Sequence, residues 1–264
     1  MNSALFESLP ITGLYVAVAF LMMAFGEIGY QFGVRTRTRR DEDAMASLGS
    51  MVGGLLAMAA FVLAFTFSMA SSQNDQRKQD VLQEANSIGT AYLRADLLDQ
   101  QYKTEVKRLL QDYVDVRLEA ANTRNLNALI AESVELHSLL WAQVSEAAIA
   151  RPNTNTSLVV QSVNDVIDMH EKRLTDALRN RIPGIVWIAL SAIIALTMIT
   201  LGTQAGFTGK RRLVATIPLI LAFAVLMTLV VDLNRPQSGL IKVSQQSMID
   251  LQNSMGPNHA PTVE

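Results

Sequence analysis

From Ala44 to Leu98 the chain has no proline, and half way along it passes from an uncharged apolar run to a charged amphipathic one without a turn signal. Met45 to Ala70 is free of charge over about 26 residues, more than the roughly 20 that span a bilayer's hydrocarbon core. From Asp75 onward the stretch is richly charged, with Val81, Ala85, Ile88 and Tyr92 on one helical stripe. One helix of this length, at ~1.5 Å per residue, is roughly 80 Å long, so it must leave any membrane it crosses.

That reading makes the rest of the chain legible. Half of the 264 residues are apolar and only 17% are charged, a mixture expected of a membrane part joined to an aqueous part. Leu9 to Phe32 forms a first span with one intramembrane carboxylate, Glu27, placed for interfacial snorkelling or to act as an ion-pathway or helix-pairing group. The start before it lacks the basic residues of a secretory signal, so the span is expected to be retained. Three helices are expected beyond the rod: Lys103 to Ala121 with Val106, Leu109, Leu110, Tyr113 and Val116 or the stem of Arg117 inward; Asn125 to Ile149 with Leu129, Ile130, Val134, Leu140 and Val144 inward; and a last one from Leu158 with Val159, Val163, Val166, Leu174 and Leu178. Pro152 and the cap-forming Asn153, Thr154, Asn155, Thr156 and Ser157 divide the last two. The third span runs from Ile182 to about Thr203 with Pro183 in its first turn, and the fourth from Leu213 to about Val231 with Pro218 bending it. The connecting loop holds Gly206, Gly209, Lys210, Arg211 and Arg212.

The fold class implied is an all-α integral membrane protein: four transmembrane helices with a four-helix aqueous bundle inserted between the second and third spans. Residues 1–70 hold transmembrane helices 1 and 2 with a basic connecting loop, 71–181 the bundle, 182–233 transmembrane helices 3 and 4, and 234–264 an amphipathic segment (Ile241 to Leu251) and a disordered tail. Arg35, Arg37, Arg39, Arg40, Lys210, Arg211 and Arg212 crowd into two short loops, which the positive-inside rule assigns to the cytoplasm of a cell (inner) membrane, leaving the bundle extracytoplasmic.

On the second span Gly49, Gly53, Ala57, Ala60, Ala64 and Ser68 recur at three and four, a helix-packing face that admits a close neighbour. Phe61 and Phe65, four apart and flanked by Met58 and Met69, either face lipid and fill the bundle or, if several copies ring a pore, form a hydrophobic neck. Enzymatic chemistry has no support. Cysteine is absent, His137, His170 and His259 show no ligand spacing, and Gly209-Lys210 lacks the other residues of a phosphate loop. No metal, cofactor or nucleic acid is therefore expected, the last also because the net charge is −2. Glu84 reads as a lone carboxylate beside an apolar stripe, and His170, on the stripe of its own helix, as satisfied core.

The run Leu63-Ala64-Phe65-Thr66-Phe67-Ser68-Met69-Ala70, the pair Arg77-Lys78 and the stretch Glu84-Ala85-Asn86-Ser87-Ile88-Gly89-Thr90-Ala91-Tyr92-Leu93-Arg94 resemble the signature of the bacterial bestrophin-like membrane domain family. Glu27-Ile28-Gly29 with Gly33, and Asp232-Leu233-Asn234-Arg235-Pro236 with Gly239 and Val243-Ser244, extend the resemblance over most of the chain, although Asn234 stands where a second Asp is expected. The resemblance implies a distant likeness to bestrophins, pentameric anion channels with four spans, a helical region between the second and third, and a neck of hydrophobic side chains spaced by four. Phe61 and Phe65 match that spacing, and Asn74-Asp75-Gln76-Arg77 echoes the Tyr-Asp-Arg run that follows the neck. Two departures follow. Bestrophins hold their helical region in the cytoplasm, against the orientation drawn from charge, and no run of adjacent acidic residues is present for a calcium clasp.

The polar candidates are Arg77, Glu84, Asn86, Arg94, Arg181, Asp232 and Arg235, with Asp232 or Arg235 expected to pair with Arg181 or Glu84. The function expected is an oligomeric anion channel in a lipid bilayer, a homo-oligomer and a pentamer if bestrophin-like. The alternative is a non-conducting membrane sensor or partner-binding protein that uses the bundle.

Overall fold

The computed structural model describes residues 10–36, 42–121, 126–211, 213–235 and 239–256. It is all helix, with no strand among the described residues. In chain order the helices are α1 (Ile11–Arg35), α2 (Glu42–Arg94), α3 (Gln100–Ala120), α4 (Leu126–Ala150), α5 (Thr154–Leu174), α6 (Gly184–Thr208), α7 (Leu213–Leu233) and α8 (Gln246–Met255), with a 3₁₀ turn at Ala95–Leu97 and a π-helical turn at Thr175–Arg179. The proline-free stretch is indeed a single long helix. Four helical stretches, Ile11–Arg35, Leu48–Leu97, Thr154–Thr208 and Leu213–Leu233, are long and apolar enough to cross a membrane. Of the basic loop residues, Arg37, Arg39, Arg40 and Arg212 lie outside the described residues, as do Pro236 and the tail from 257.

The chain divides into two units: Met1–Asn74 with Arg181–Lys242, and Asp75–Asn180 with Val243–Glu264. In the first, α1 packs against α6 and α7. The α1–α6 contact is backbone on backbone. A Cβ added at Gly29 would collide with the Ile199 carbonyl, at Gly33 with that of Thr203, at Gly202 with that of Gly26, and at Gly206 with that of Tyr30. Gly29 and Gly33, and Gly202 and Gly206, are each spaced by four, so each pair lies on one helix face and the two faces meet. Gly206 is therefore part of the helix contact rather than of the loop. Gly209, at φ 68°, caps α6 in the left-handed conformation that side chains disfavour.

Around this contact the core comprises Met22, Ala59, Leu63, Leu190, Ile194, Met198, Ile220 and Ala224, with their neighbours. Its buried hydroxyls bond within their own helices: Thr66 to the Val62 carbonyl (2.7 Å), Thr197 to Ile193 (2.7 Å), Thr203 to Ile199 (2.8 Å) and Thr228 to Ala224 (2.7 Å). A hydroxyl satisfied on its own helix costs little where no water is present.

The second unit joins the later part of α2 to α3, α4, α5 and α8 around a core of large side chains, among them Ile88, Leu109, Leu110, Tyr113, Leu140, Val163 and Met248. Asn153 caps α5 reciprocally with Thr156: Asn153 Oδ1 accepts from the Thr156 amide (3.0 Å) and Thr156 Oγ1 from the Asn153 amide (3.1 Å).

Several local expectations are corrected. Val134 and Leu158, both expected on inner stripes, are exposed; Ser133 and His137 take the inner positions in α4, while Val159 in α5 is buried as expected. The apolar count at 3.6-residue spacing admits either neighbour of a stripe, and tertiary packing chooses. Pro183 is extended (φ −56°, ψ 139°) and precedes α6 rather than lying in its first turn. α8 begins at Gln246, five residues later than the amphipathic pattern, and buries Met248 and Met255 in the second unit's core.

Candidate functional site

Two groups of residues stand out, one in each unit. In the first, the second-span residues of α2 present two faces. Val52, Ala59, Leu63, Thr66 and Ala70 are buried, whereas Gly53, Ala57, Ala60 and Ala64 are exposed, together with Phe61 (74%) and Phe65 (59%). A Cβ at Gly53 would meet nothing within 4 Å, and one at Gly49 only the Gln204 side chain. From Gly53 to Ala64 the small-residue face is thus exposed among the described residues, and of its glycines only Gly49 meets a neighbour. The close helix contact of this unit lies instead on α1 and α6.

Glu27 accepts from Arg211 Nη2 at 2.9 Å and from Gln31 Nε2 at 3.3 Å, and the Arg211 guanidinium lies 4.5 Å above the Tyr30 ring. Asp232 is buried and accepts the backbone N–H groups of Leu240 (2.8 Å) and Ile241 (3.0 Å), which holds the turn after α7. Asn234 Oδ1 accepts the Ile182 amide at 3.2 Å, so an amide serves where an acidic residue was expected. Arg235 is buried and Arg181 half-buried, and both are engaged.

In the second unit the geometry centres on Glu84, whose side chain is fully buried. It is no lone carboxylate. Arg117 Nε lies 3.0 Å from Oε1, Tyr113 Oη donates to Oε1 at 2.8 Å, and Arg173 Nη1 pairs with Oε2 while its Nη2 donates to Gln245 Oε1 at 2.7 Å. In place of the expected Asp232 or Arg235, Glu84 takes these partners, all from its own unit. Helical phase explains why: Glu84 shares the buried stripe of Val81 and Ile88, and Arg117 follows Tyr113 by one turn on the inner face of α3.

Two histidines that show no ligand spacing in the sequence join this cluster. His137 of α4 and His170 of α5 are buried with ring centroids 4.8 Å apart, edge to face, and Tyr113 lies 4.8 Å from His137. Tyr113 Oη is 3.1 Å from His170 Nδ1. Because the Tyr113 proton goes to the ionised Glu84, His170 must donate from Nδ1, which leaves its Nε2 as an unprotonated acceptor. The Nε2 atoms of both histidines have no hydrogen-bond partner among the described residues.

All these groups lie beyond the uncharged runs 45–70 and 182–203. Burial by itself raises the Glu84 pKa, but the charges of Arg117 and Arg173 outweigh it and hold the carboxyl below its usual range. Burial, aided for His170 by Arg117, pushes both histidines down to about 4, so they are neutral near pH 7. Burial and the neighbouring Glu84 push the Tyr113 hydroxyl well up. One carboxylate, two guanidiniums and two neutral imidazoles give the cluster a net positive charge. No group of three His, Cys, Asp or Glu side chains suited to a metal ion occurs among the described residues.

The other candidates scatter. Arg77 is buried and donates to the Asp176 carbonyl (3.1 Å) and the Asn180 carbonyl (3.3 Å), closing the π-helical turn that ends α5. Beside it Asp80 is fully buried, with Gln76 at 2.9 Å and Lys172 at 3.0 Å from Oδ1. Its pKa is raised by burial, and Asp176 adds to the rise. Arg94 donates to the Leu158 carbonyl at 3.1 Å, away from Glu84. Asn86 is exposed and takes no part, because two residues from Glu84 a side chain faces the far side of the helix. Of the Glu84 cluster only Glu84 itself was a candidate from sequence; Arg117, Arg173, Tyr113, His137 and His170 were not. The available signal was a charged or polar residue on each of several apolar stripes.

No curated protein and no solved structure matches the chain. The family model described as Bestrophin-like domain matches residues 18–248, a range that takes in both the exposed Phe61/Phe65 face and the Glu84 cluster. The chain therefore belongs to the bestrophin-like family.

Proposed function

We propose that the protein is an oligomeric, multi-pass ion channel of the cell membrane, selective for anions, with α2 lining the pore and Phe61 and Phe65 forming a hydrophobic neck. The observation that carries this reading is the exposed α2 face. A helix apolar enough to cross a membrane buries one side in its own unit and turns Phe61, Phe65 and the small residues Gly53, Ala57, Ala60 and Ala64 outward. A ring of copies gives such a face both its neighbour and its pore, and the family, which includes anion channels, supplies the precedent. In this reading residues 71–181 form an aqueous four-helix bundle inserted between the second and third spans, residues 234–264 follow the fourth, and five copies complete the neck. The short basic loops face the cytoplasm. Nothing in the Glu84 cluster provides a nucleophile activated by a base, so it supports a structural rather than an enzymatic role.

The test is conductance from purified protein in a planar bilayer. Wild type passes chloride in preference to sodium, and Phe61→Ala with Phe65→Ala shifts selectivity or current without loss of folded oligomer. Unchanged current and selectivity in the double variant would remove the neck assignment. The alternative, a non-conducting sensor, is favoured by one observation: two buried histidine nitrogens in the second unit have no hydrogen-bond partner among the described residues. A monomer or dimer in mild detergent, with no conductance, would decide for it.

A further inference from the structure

The α1–α6 glycine contact has an open flank. Beside it, between α1, α6 and α7, is a groove of about 380 Å³, within the range of ligand pockets and far larger than the roughly 30 Å³ share of one water. Phe20, Met23, Leu201, Leu213 and Ile220 make its apolar walls, and Glu27, Tyr30 and Arg211 stand on its rim. The groove lies among three of the helices apolar enough to cross a membrane.

From this geometry we infer that the groove binds an anionic phospholipid, with an acyl chain against the apolar walls and the headgroup phosphate at Arg211. Three features favour that occupant. An apolar trough that ends at a charged rim matches a molecule with an apolar rod and a charged head. The charged groups of the rim are one guanidinium, Arg211, and one carboxylate, Glu27, and Glu27 is already engaged by Arg211 and Gln31. A zwitterionic head would need that carboxylate for its ammonium; a phosphate needs only the guanidinium. Arg211 is also held in place: one nitrogen bonds Glu27 and the guanidinium lies over Tyr30, which leaves its other N–H groups for a forked bond to a phosphate. The inference does not depend on whether the chain conducts.

The experiment uses the full chain, stripped of lipid in detergent, then exchanged into mixed micelles containing either phosphatidylglycerol or phosphatidylcholine and read by native mass spectrometry. Wild type retains phosphatidylglycerol through a detergent wash that removes phosphatidylcholine. Arg211→Gln lowers that retention about tenfold, the loss expected of one charge-assisted hydrogen bond. Thr216→Phe, which places a ring in the groove away from the α1–α6 contact, abolishes it with the melting temperature maintained. Should Arg211→Gln not accumulate, Thr216→Phe carries the test alone. Equal retention of both lipids, insensitive to Arg211 and Thr216, would show only the unspecific lipid that surrounds any membrane protein and would overturn the site. Dissociation of the oligomer by Thr216→Phe with lipid retention unchanged would assign the groove to a second copy of the chain and overturn it equally.

Discussion

The two units of this chain are built on different physics. In the first, α1 and α6 meet through glycine backbones, and buried hydroxyls bond their own helix four residues back. In the second, helices meet through large side chains, and polar groups bond across helices over long sequence separations, as from Glu84 to Arg117 and Arg173. Lipid tails are as apolar as leucine, so side-chain burial gives little drive between helices there, and close backbone packing with locally satisfied polar groups is the available solution. Where burial removes apolar surface from water, a thick core drives assembly and a buried charge network adds specificity at a desolvation cost. The difference appears along one helix, since α2 contributes to both units.

This comparison breaks most readily at the glycines. Gly202→Leu forces α6 off α1, and the folded, monodisperse protein should be lost from size-exclusion chromatography in detergent. Gly53→Leu makes the same change on α2, where an added Cβ meets nothing, and should leave the fold intact. If that variant also lowers the oligomeric order, copies pack on the exposed α2 face. A Gly202→Leu protein that melts like wild type would end the backbone-contact account.

In the second unit the corresponding strain is electrostatic. Glu84→Ala leaves the buried Arg117 and the part-buried Arg173 without their shared carboxylate, a loss of about 3–5 kcal/mol. Each unit holds one tryptophan, Trp187 in the first and Trp141 in the second, so single-tryptophan variants report the two meltings separately. The Trp141 transition should fall and the Trp187 transition should not. Equal falls in both would mean that the units are one cooperative body.

Acid should act on the same unit with a definite sign. The histidines are held near 4 when folded and return to about 6.5 when unfolded, so the unfolded chain binds more protons between those values and stability drops as pH falls through that window. The upper bound is about 3 kcal/mol for each histidine. Glu84 of α2, Tyr113 and Arg117 of α3, and Arg173 of α5 surround the pair; depressed Glu84 adds to the loss at still lower pH. Asp80 has the opposite sign, because its raised pKa disfavours the fold as pH rises through it. Melting of the Trp141 signal from pH 7 to pH 4 should therefore decline, and His137→Phe should flatten the decline. A flat wild-type profile would show that the imidazoles protonate in place.

The smallest effect belongs to Asn153→Ala at the start of α5. Removal of the reciprocal cap should cost about 1 kcal/mol in the Trp141 transition and nothing in the Trp187 transition.

Much of this organisation was legible from residue order. The rod, the apolar helices, the break at Pro152 and the inner stripe of α3 follow from length, charge and 3.6-residue spacing, which are local properties. Two features were not read from residue order. The glycine pairs at Gly29 and Gly33 and at Gly202 and Gly206 had the spacing of a close contact, yet the small-residue face of α2 drew attention because it is longer. The histidines looked isolated because 33 positions separate His137 from His170 in the chain.

What the amino-acid sequence alone determined here is the set of helices, which of them are apolar enough for a membrane, and the family to which the chain is similar. Each of these depends on a side chain's own hydropathy and its neighbours within a turn or two. Only the tertiary structure decided that Glu84 is the hub of a buried charge cluster, that two histidines share it, and that α1 and α6 rather than α2 make the closest contact. Those outcomes depend on the rotational phase at which separate helices meet, and periodicity gives the face of a helix without naming the face it meets.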